Sequence, residues 1–452
     1  MSGAASAPPV ALRGQTVAFR ADPFLDDPSR SLVHERDGLV LVEGGRIRAV
    51  GPYAALAPTL PPGTELVEYG DAIISAGFVD AHVHYPQLPM VGAYGEQLLE
   101  WLDTYVFPTE AGFADAEHAA RVARFFLREL LRCGTTTAMV YCTVHPQSVD
   151  AFFAEAERFD ALMVAGKVLM DRNAPANLLD TAQRGHDESA ALIRRWHGRG
   201  RQHYCVTPRF APTSTEAQLD AAGALLRATP GLFMQTHLCE NRAEIDWVRE
   251  LFPRRGSYLD VYAHAGLVGR RSVFGHGVHL GEEDFCTCHA AGAAIAHCPT
   301  SNLFLGSGLF RLFDAVEPRR AVRVGLGTDV GAGTSLSQLQ SLNEAYKVAQ
   351  LTGHRLHPAQ GFWLATEGGA RALHLEGRIG RLAAGADADL CVLDPRATPL
   401  LEFRTGFCGG IEELLFVLMT LGDDRVVRAT WAAGRCVYDR DREGDPFSYA
   451  GA

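Results

Sequence analysis

Apolar and polar positions change rhythm twice along this chain, dividing it into three stretches. Up to residue 73 the apolar runs are short and broken by turns. Gly38-Leu39-Val40-Leu41-Val42 is one such run and Glu43-Gly44-Gly45 a turn. Arg46-Ile47-Arg48-Ala49-Val50-Gly51 then alternates polar with apolar, so a hairpin is predicted here. The pattern returns after residue 384. Ala388-Asp389-Leu390-Cys391-Val392-Leu393 reads as a strand. Val426-Val427-Arg428-Ala429-Thr430-Trp431 and Arg435-Cys436-Val437-Tyr438 flank the turn Ala432-Ala433-Gly434. Residues 1–73 and 384–452 are therefore expected to build one β module, with residues 74–383 inserted between its halves.

The inserted stretch alternates short apolar runs with segments of helical spacing, such as 119–131 and 189–196. Parallel β/α units produce this pattern. Strands are predicted at 74–84, 136–141, 162–169, 204–207, 232–237, 272–275, 293–297 and 324–328. Eight units over about 300 residues suit an α/β fold of the (β/α)8 TIM-type barrel. A doubly wound open sheet is the structural alternative, but no Gly-x-Gly-x-x-Gly follows an early strand. Segment 90–110 breaks the alternation. It is rich in Tyr, Trp, Leu and Phe, and is expected to cover the strand ends as a lid and to meet a second subunit.

Polar residues cluster at the ends of these strands, where a barrel carries its active site. The first strand ends in Asp80-Ala81-His82-Val83-His84, and a period of two puts both imidazoles on one face. The fourth ends in Thr207-Pro208-Arg209-Phe210, the fifth in Thr236-His237-Leu238-Cys239-Glu240-Asn241, the sixth in Phe274-Gly275-His276-Gly277 and the eighth in Gly327-Thr328-Asp329. His82, His84, His237 and Asp329 form a set of three nitrogens and one oxygen with room for a water, a pattern typical of catalytic zinc. A water on such an ion has a pKa near 7. His276 would hold that water, Asp329 would take its proton, and Glu240, three residues beyond His237, would shuttle a proton to the substrate. Gln87 matches the mixed edge of a heterocyclic base, Arg209 a ring carbonyl, and Phe210 a flat ring. His237, Glu240, His276 and Asp329 would border the same substrate. His145, His279 and His297 are expected to be packed, hydrogen-bonded histidines. Lys167 is not expected to bridge metals.

Composition narrows the picture. A net charge of −11 speaks against a nucleic-acid polymer as partner. No apolar segment reaches membrane-spanning length, and residues 1–16 lack a basic start followed by an apolar run, so neither a membrane span nor a secretory signal is expected. The ten cysteines show no Cys-x-x-Cys, and Cys286 and Cys288 read as free thiols. A reduced, cytoplasmic setting follows as the expectation.

Several stretches carry a resemblance. Gly77-Phe78-Val79-Asp80-Ala81-His82-Val83-His84-Tyr85-Pro86-Gln87, Val91-Gly92-Ala93-Tyr94-Gly95-Glu96-Gln97-Leu98-Leu99-Glu100-Trp101-Leu102, Thr207-Pro208-Arg209-Phe210-Ala211, Thr236-His237-Leu238-Cys239-Glu240-Asn241, His297-Cys298-Pro299-Thr300-Ser301-Asn302-Leu303 and Gly325-Leu326-Gly327-Thr328-Asp329 resemble the metal-dependent amidohydrolase superfamily. The Tyr-Pro-Gln and Pro-Arg-Phe elements make the chain similar to its guanine-deaminating branch. The resemblance implies a barrel beside a small β-sandwich, one Zn2+ per subunit and a homodimer. It also implies hydrolysis of guanine to xanthine and ammonia, a step of purine catabolism. Another amidohydrolase acting on a pterin or aminotriazine ring is the alternative reading.

Overall fold

The computed structural model describes residues 8–447; residues 1–7 and 448–452, the outer ends of the expected β module, lie outside the described residues. Eight strands run parallel in chain order: Phe78–His84, Thr135–Tyr141, Leu162–Gly166, Gln202–Pro208, Phe233–Leu238, Ser272–His276, Ala294–His297 and Arg323–Leu326. The ring closes just past the last strand. Asp329 N donates to His82 O and His84 N to Val330 O, each at 2.9 Å. The strands read as nearly continuous apolar runs because helices cover their outer face while the barrel interior covers the other. Helix Ala116–Arg132 shows how one such cover forms. Asp115 caps it by accepting from Glu117 N and His118 N, and Ala119, Val122, Ala123, Phe126, Leu127, Leu130 and Leu131 recur at helical spacing on the buried face.

The module from the two chain ends is one seven-stranded sheet. Its order is Arg435–Asp439, Val427–Ala432, Leu390–Leu393, Glu65–Ala76, Val10–Phe19, Leu32–Glu43 and Arg46–Pro52. Leu12, Val40, Ile74, Leu390, Val392 and Trp431 from both halves share one apolar core. Arg201, ahead of the fourth barrel strand, is buried between Asp387 and Asp389 and ties the barrel to this sheet.

Two predicted strands differ from the structure. The run 74–84 is two strands: Glu65–Ala76 belongs to the sheet and Phe78–His84 to the barrel. Gly77 N donates to Asp389 O at 2.8 Å and Phe78 N to Gly134 O at 3.0 Å, so the chain changes partners within one residue. A Cβ on Gly77 would lie 2.2 Å from Thr136 Oγ1, so the crossing has no space for a side chain. Residues 72–76 and the strand Phe78–His84 are all buried, so no exposed position marks the break. The run 162–169 is interrupted at Lys167, beyond which Val168–Leu169 pairs with the fourth strand alone. The Lys167 ammonium is buried against Asp180, with Glu188 at 3.5 Å. That pairing accounts for a lysine inside an apolar run without a metal.

Segment 90–110 forms short turns and helices: Leu98–Trp101, a wide turn at Leu102–Val106, and Phe107–Ala111. Among the described residues no helix is long and apolar enough to cross a membrane.

Candidate active site

The barrel strands deliver their polar ends to one place. His82 and His84 are both buried, on the face their period of two predicted. Asp80, two residues earlier, accepts from Thr328 N at 3.0 Å, from Thr328 Oγ1 and from His82 N at 3.2 Å, locking the first strand to the eighth. Burial pushes its carboxyl up to about 7. The sequence reading gave Asp80 no role, because a carboxylate inside an apolar strand carries no pattern of its own.

Three imidazoles and one carboxylate meet tip to tip. The Nε2 atoms of His82 and His84 are 3.3 Å apart, and those of His84 and His237 3.2 Å. Asp329 Oδ1 lies 3.2 Å from His82 Nε2 and 3.3 Å from His84 Nε2. His237 Nδ1 is 2.6 Å from the Arg209 carbonyl, an acceptor, so Nδ1 carries the proton and Nε2 presents its lone pair. Burial lowers the pKa of His84 to about 3 against the upward pull of Asp329, and burial, then the neighbouring imidazoles, lower that of His237 well below the usual range, so both rings are neutral. Burial alone would raise the Asp329 carboxyl; the surrounding imidazoles of His82, His84 and His276 outweigh it and hold the group well below its ordinary value.

Neutral nitrogens do not crowd their lone pairs together without a cation between them. Bonds of 2.0–2.1 Å in a tetrahedral site put donors about 3.3–3.4 Å apart, close to the spacing here. The donor set therefore fits a zinc-like ion. Cys298 also approaches His82 and Asp329, all within 4.8 Å. Its thiol is directed to the Ala296 carbonyl at 3.5 Å, and burial raises its pKa well above the usual value, which favours the imidazole set.

Above the donors lies a pocket with about 400 Å3 of atom-free space, open solvent included, bordered by His84, Gln87, Arg209, Phe210, His237, Glu240, His276 and Asp329. These are eight of the nine predicted site residues, all but His82. Glu240 Oε2 is 3.4 Å from His276 Nε2, and Ser307 Oγ donates to Glu240 Oε1 at 3.3 Å. Burial, then the Asp329 charge, push Glu240 up to about 8, so it carries a proton at neutral pH. Its position is set from behind. Glu240 N and Asn241 N both donate to Glu244 Oε2, at 2.9 and 3.1 Å, within the cap of helix Arg242–Leu251. His276 Nδ1 lies 2.9 Å from Asn302 Oδ1, which orients the ring.

The histidines set aside in the sequence lie apart from this cluster. His279 Nε2 pairs with the Ser307 carbonyl at 2.9 Å as expected. Among the described residues, His297, buried against Phe310, has a hydrogen bond at neither ring nitrogen and His145, ahead of helix Pro146–Phe159, has none at Nε2, so these two are packed but not hydrogen-bonded there. On helix Glu282–Ala291, Cys286 is exposed and Cys288 buried, so the two thiols do not converge. Leu98, Trp101 and Leu102 of the covering segment line the cavity, as a lid would. Sequence reasoning missed Glu110, which is wholly buried and touches both Gln87 and Arg209.

Comparison with known proteins agrees with this geometry. The profile of the Amidohydrolase family matches residues 73–437. The chain belongs to the amidohydrolase family. A short second match, residues 40–61, is to an imidazolonepropionase-like composite domain of bacteria. The guanine deaminase of Escherichia coli (strain K12) is 50% identical over 405 residues, spanning 90% of this chain and 92% of the relative. The guanine deaminase of Homo sapiens is 33% identical, over 80% and 82%. Among solved structures, E. coli guanine deaminase superposes with a TM-score of 0.93 at 45% identity, covering 96% of this chain and all of the other. A guanine deaminase from C. acetobutylicum with guanine bound in its active site gives 0.85 at 26% identity, covering 95% and 100%. This amidohydrolase thus shares fold and length with both.

Proposed function

We propose that this amidohydrolase hydrolyses guanine to xanthine and ammonia, with one zinc ion per chain held by His82, His84, His237 and Asp329. The observation that carries the reading is the placing of a protonated, buried Glu240 and the Arg209–Gln87 pair on the wall of the cavity that the donor set floors. The similarity to guanine deaminases supports the choice of base. A bound zinc ion supplies a water that ionises near neutral pH.

The remaining steps fall to this chain's side chains. Arg209 donates to the ring carbonyl, Gln87 meets a second polar edge, and Phe210 packs against the base. His276 orients the attacking water and Asp329 accepts its proton. Glu240 gives its proton to the ring nitrogen beside the amino-bearing carbon and, now a carboxylate, collects the second proton of the attacking water. The proton held by Asp329 passes to the exocyclic amine, its C–N bond breaks and ammonia leaves, while the oxygen of water stays on that carbon as the new carbonyl. The protein would act in the cytoplasm as a homodimer, with the exposed Tyr94 of the covering segment at the contact.

Purified protein assayed on guanine, adenine, cytosine, a pterin and an aminotriazine, with zinc counted per chain, tests this. Guanine is expected to show the highest kcat/KM and the zinc content to approach one. A different best substrate overturns the assignment. Light scattering in solution reads the oligomeric state, and a monomer removes the dimer.

A further inference from the structure

Glu110 comes to Gln87 and Arg209 from the covering segment, and not from a barrel strand or the turn that follows one. It sits on the short helix Phe107–Ala111, at the end of the covering segment, and none of its surface is exposed. Its two oxygens are divided. Oε2 takes Arg209 Nη1 at 2.7 Å, and Oε1 accepts from Gln87 Nε2 at 3.2 Å. Gln87 Oε1 in turn accepts from Gly331 N at 3.2 Å. Both ends of the Gln87 amide are thus engaged, which fixes which end is donor and which acceptor. Gly331 is held close: a Cβ there would lie 2.8 Å from the Gln87 carbonyl oxygen. Arg209 spends one N–H on Glu110 and keeps others for the cavity it borders. The Glu110 charge also offsets that of a guanidinium buried near a site built for a cation.

We propose that Glu110 is the positioning residue that sets base selectivity. It aligns Arg209 and Gln87 so that the cavity accepts a ring carbonyl and rejects an amino group at the same edge. The proposal rests on the reading that Arg209 and Gln87 bind the base. Glu110 itself touches no reacting atom. Its effect is expected in binding and discrimination, with the chemical step spared.

The test compares Glu110→Gln, Glu110→Asp and Arg209→Ala with the parent protein, each with zinc counted. Substrates are guanine and 2,6-diaminopurine, which carries an amino group where guanine has its carbonyl. Loss of one aligned, charge-assisted hydrogen bond predicts that Glu110→Gln raises KM for guanine by about tenfold or more, with kcat within about threefold. The guanine to 2,6-diaminopurine ratio of kcat/KM is expected to fall by a similar factor, and Glu110→Asp to give a smaller shift in the same direction. Because Glu110→Asp keeps the charge, it carries the test should Glu110→Gln fail to fold. A folded, zinc-loaded variant with unaltered KM and ratio, or one losing kcat alone, overturns the proposal if Arg209→Ala still raises KM. If Arg209→Ala leaves KM unaltered too, the binding reading beneath it has failed instead.

Discussion

Replacing Glu240 with Gln separates the chemistry of this carboxyl from its stability cost. The amide keeps the shape and can still accept from Ser307 Oγ, but it cannot exchange a proton. Turnover of guanine should fall by about 10²–10⁴, the usual contribution of a positioned proton carrier, while zinc content stays at the parent level. The four donor residues are untouched, so metal loss is not an available explanation. Stability should move the other way. Burial, with the Asp329 charge, raises this group from 4.5 to about 8. A carboxyl whose folded pKa is raised favours the folded state fully only below its unfolded value, and that advantage is lost as pH rises toward the folded one. Glu240 thus weighs against folding increasingly between pH 4.5 and about 8. At pH 7 the penalty reaches about 3 kcal/mol, and near pH 5 it shrinks to under about 1 kcal/mol. Urea unfolding of chelated Glu240→Gln and parent protein at both pH values reads the difference. A gain that is equal at both would show that burial of the charge is not its source. Near-parent turnover would refute the proton role.

Three further perturbations have clear expectations. Asp329→Asn should lose zinc and activity together; chelation of the parent protein should lower its Tm, and restored free metal should raise it again with the logarithm of its concentration, as for any ligand that binds only the folded state. Arg209→Ala should raise KM for guanine and leave metal content unaltered, measured by steady-state kinetics and elemental analysis. Gly77→Ala should destabilise by about 1–3 kcal/mol in urea unfolding, the range for forcing a methyl into a filled space. The space is filled by Thr136 Oγ1 at 2.2 Å and Thr136 Cγ2 at 2.6 Å.

Legibility in the sequence followed the range of the signal. His82 and His84 could be read because a strand's period of two fixes their common face within three residues. His237, His276 and Asp329 could be read because barrels gather strand ends at one mouth, so each needs only a strand and an end. The break at Gly77 could not, because residues 72–76 before it and 78–79 after it are buried and almost all apolar. The Lys167 interruption was hidden for a related reason: its partners Asp180 and Glu188 lie outside the strand that contains it. Glu110 was missed because its partners lie 23 and 99 residues away, and the apolar segment around it has no period that aims a side chain.

The site also explains where the backbone is least relaxed. Cys239, His276 and Asp329 have φ of 50°, 71° and 50°, in the left-handed region that non-glycine residues avoid at about 1–3 kcal/mol each. All three stand at or just past strand ends, where the chain must swing a side chain back over the barrel mouth. Hydrogen bonds to a neighbouring element hold these turns: Asp329 N donates to His82 O at 2.9 Å, Gly277 N, next to His276, to Leu238 O at 2.9 Å, and His279 N to Cys239 O at 3.1 Å. The same ring of cross-strand contacts that closes the barrel therefore holds its mouth in a conformation the local sequence disfavours. Backbone strain at three positions and a buried, proton-retaining Glu240 act in one direction: the cavity is a place where the fold gives up stability, and a cation among His82, His84, His237 and Asp329 is what would return it.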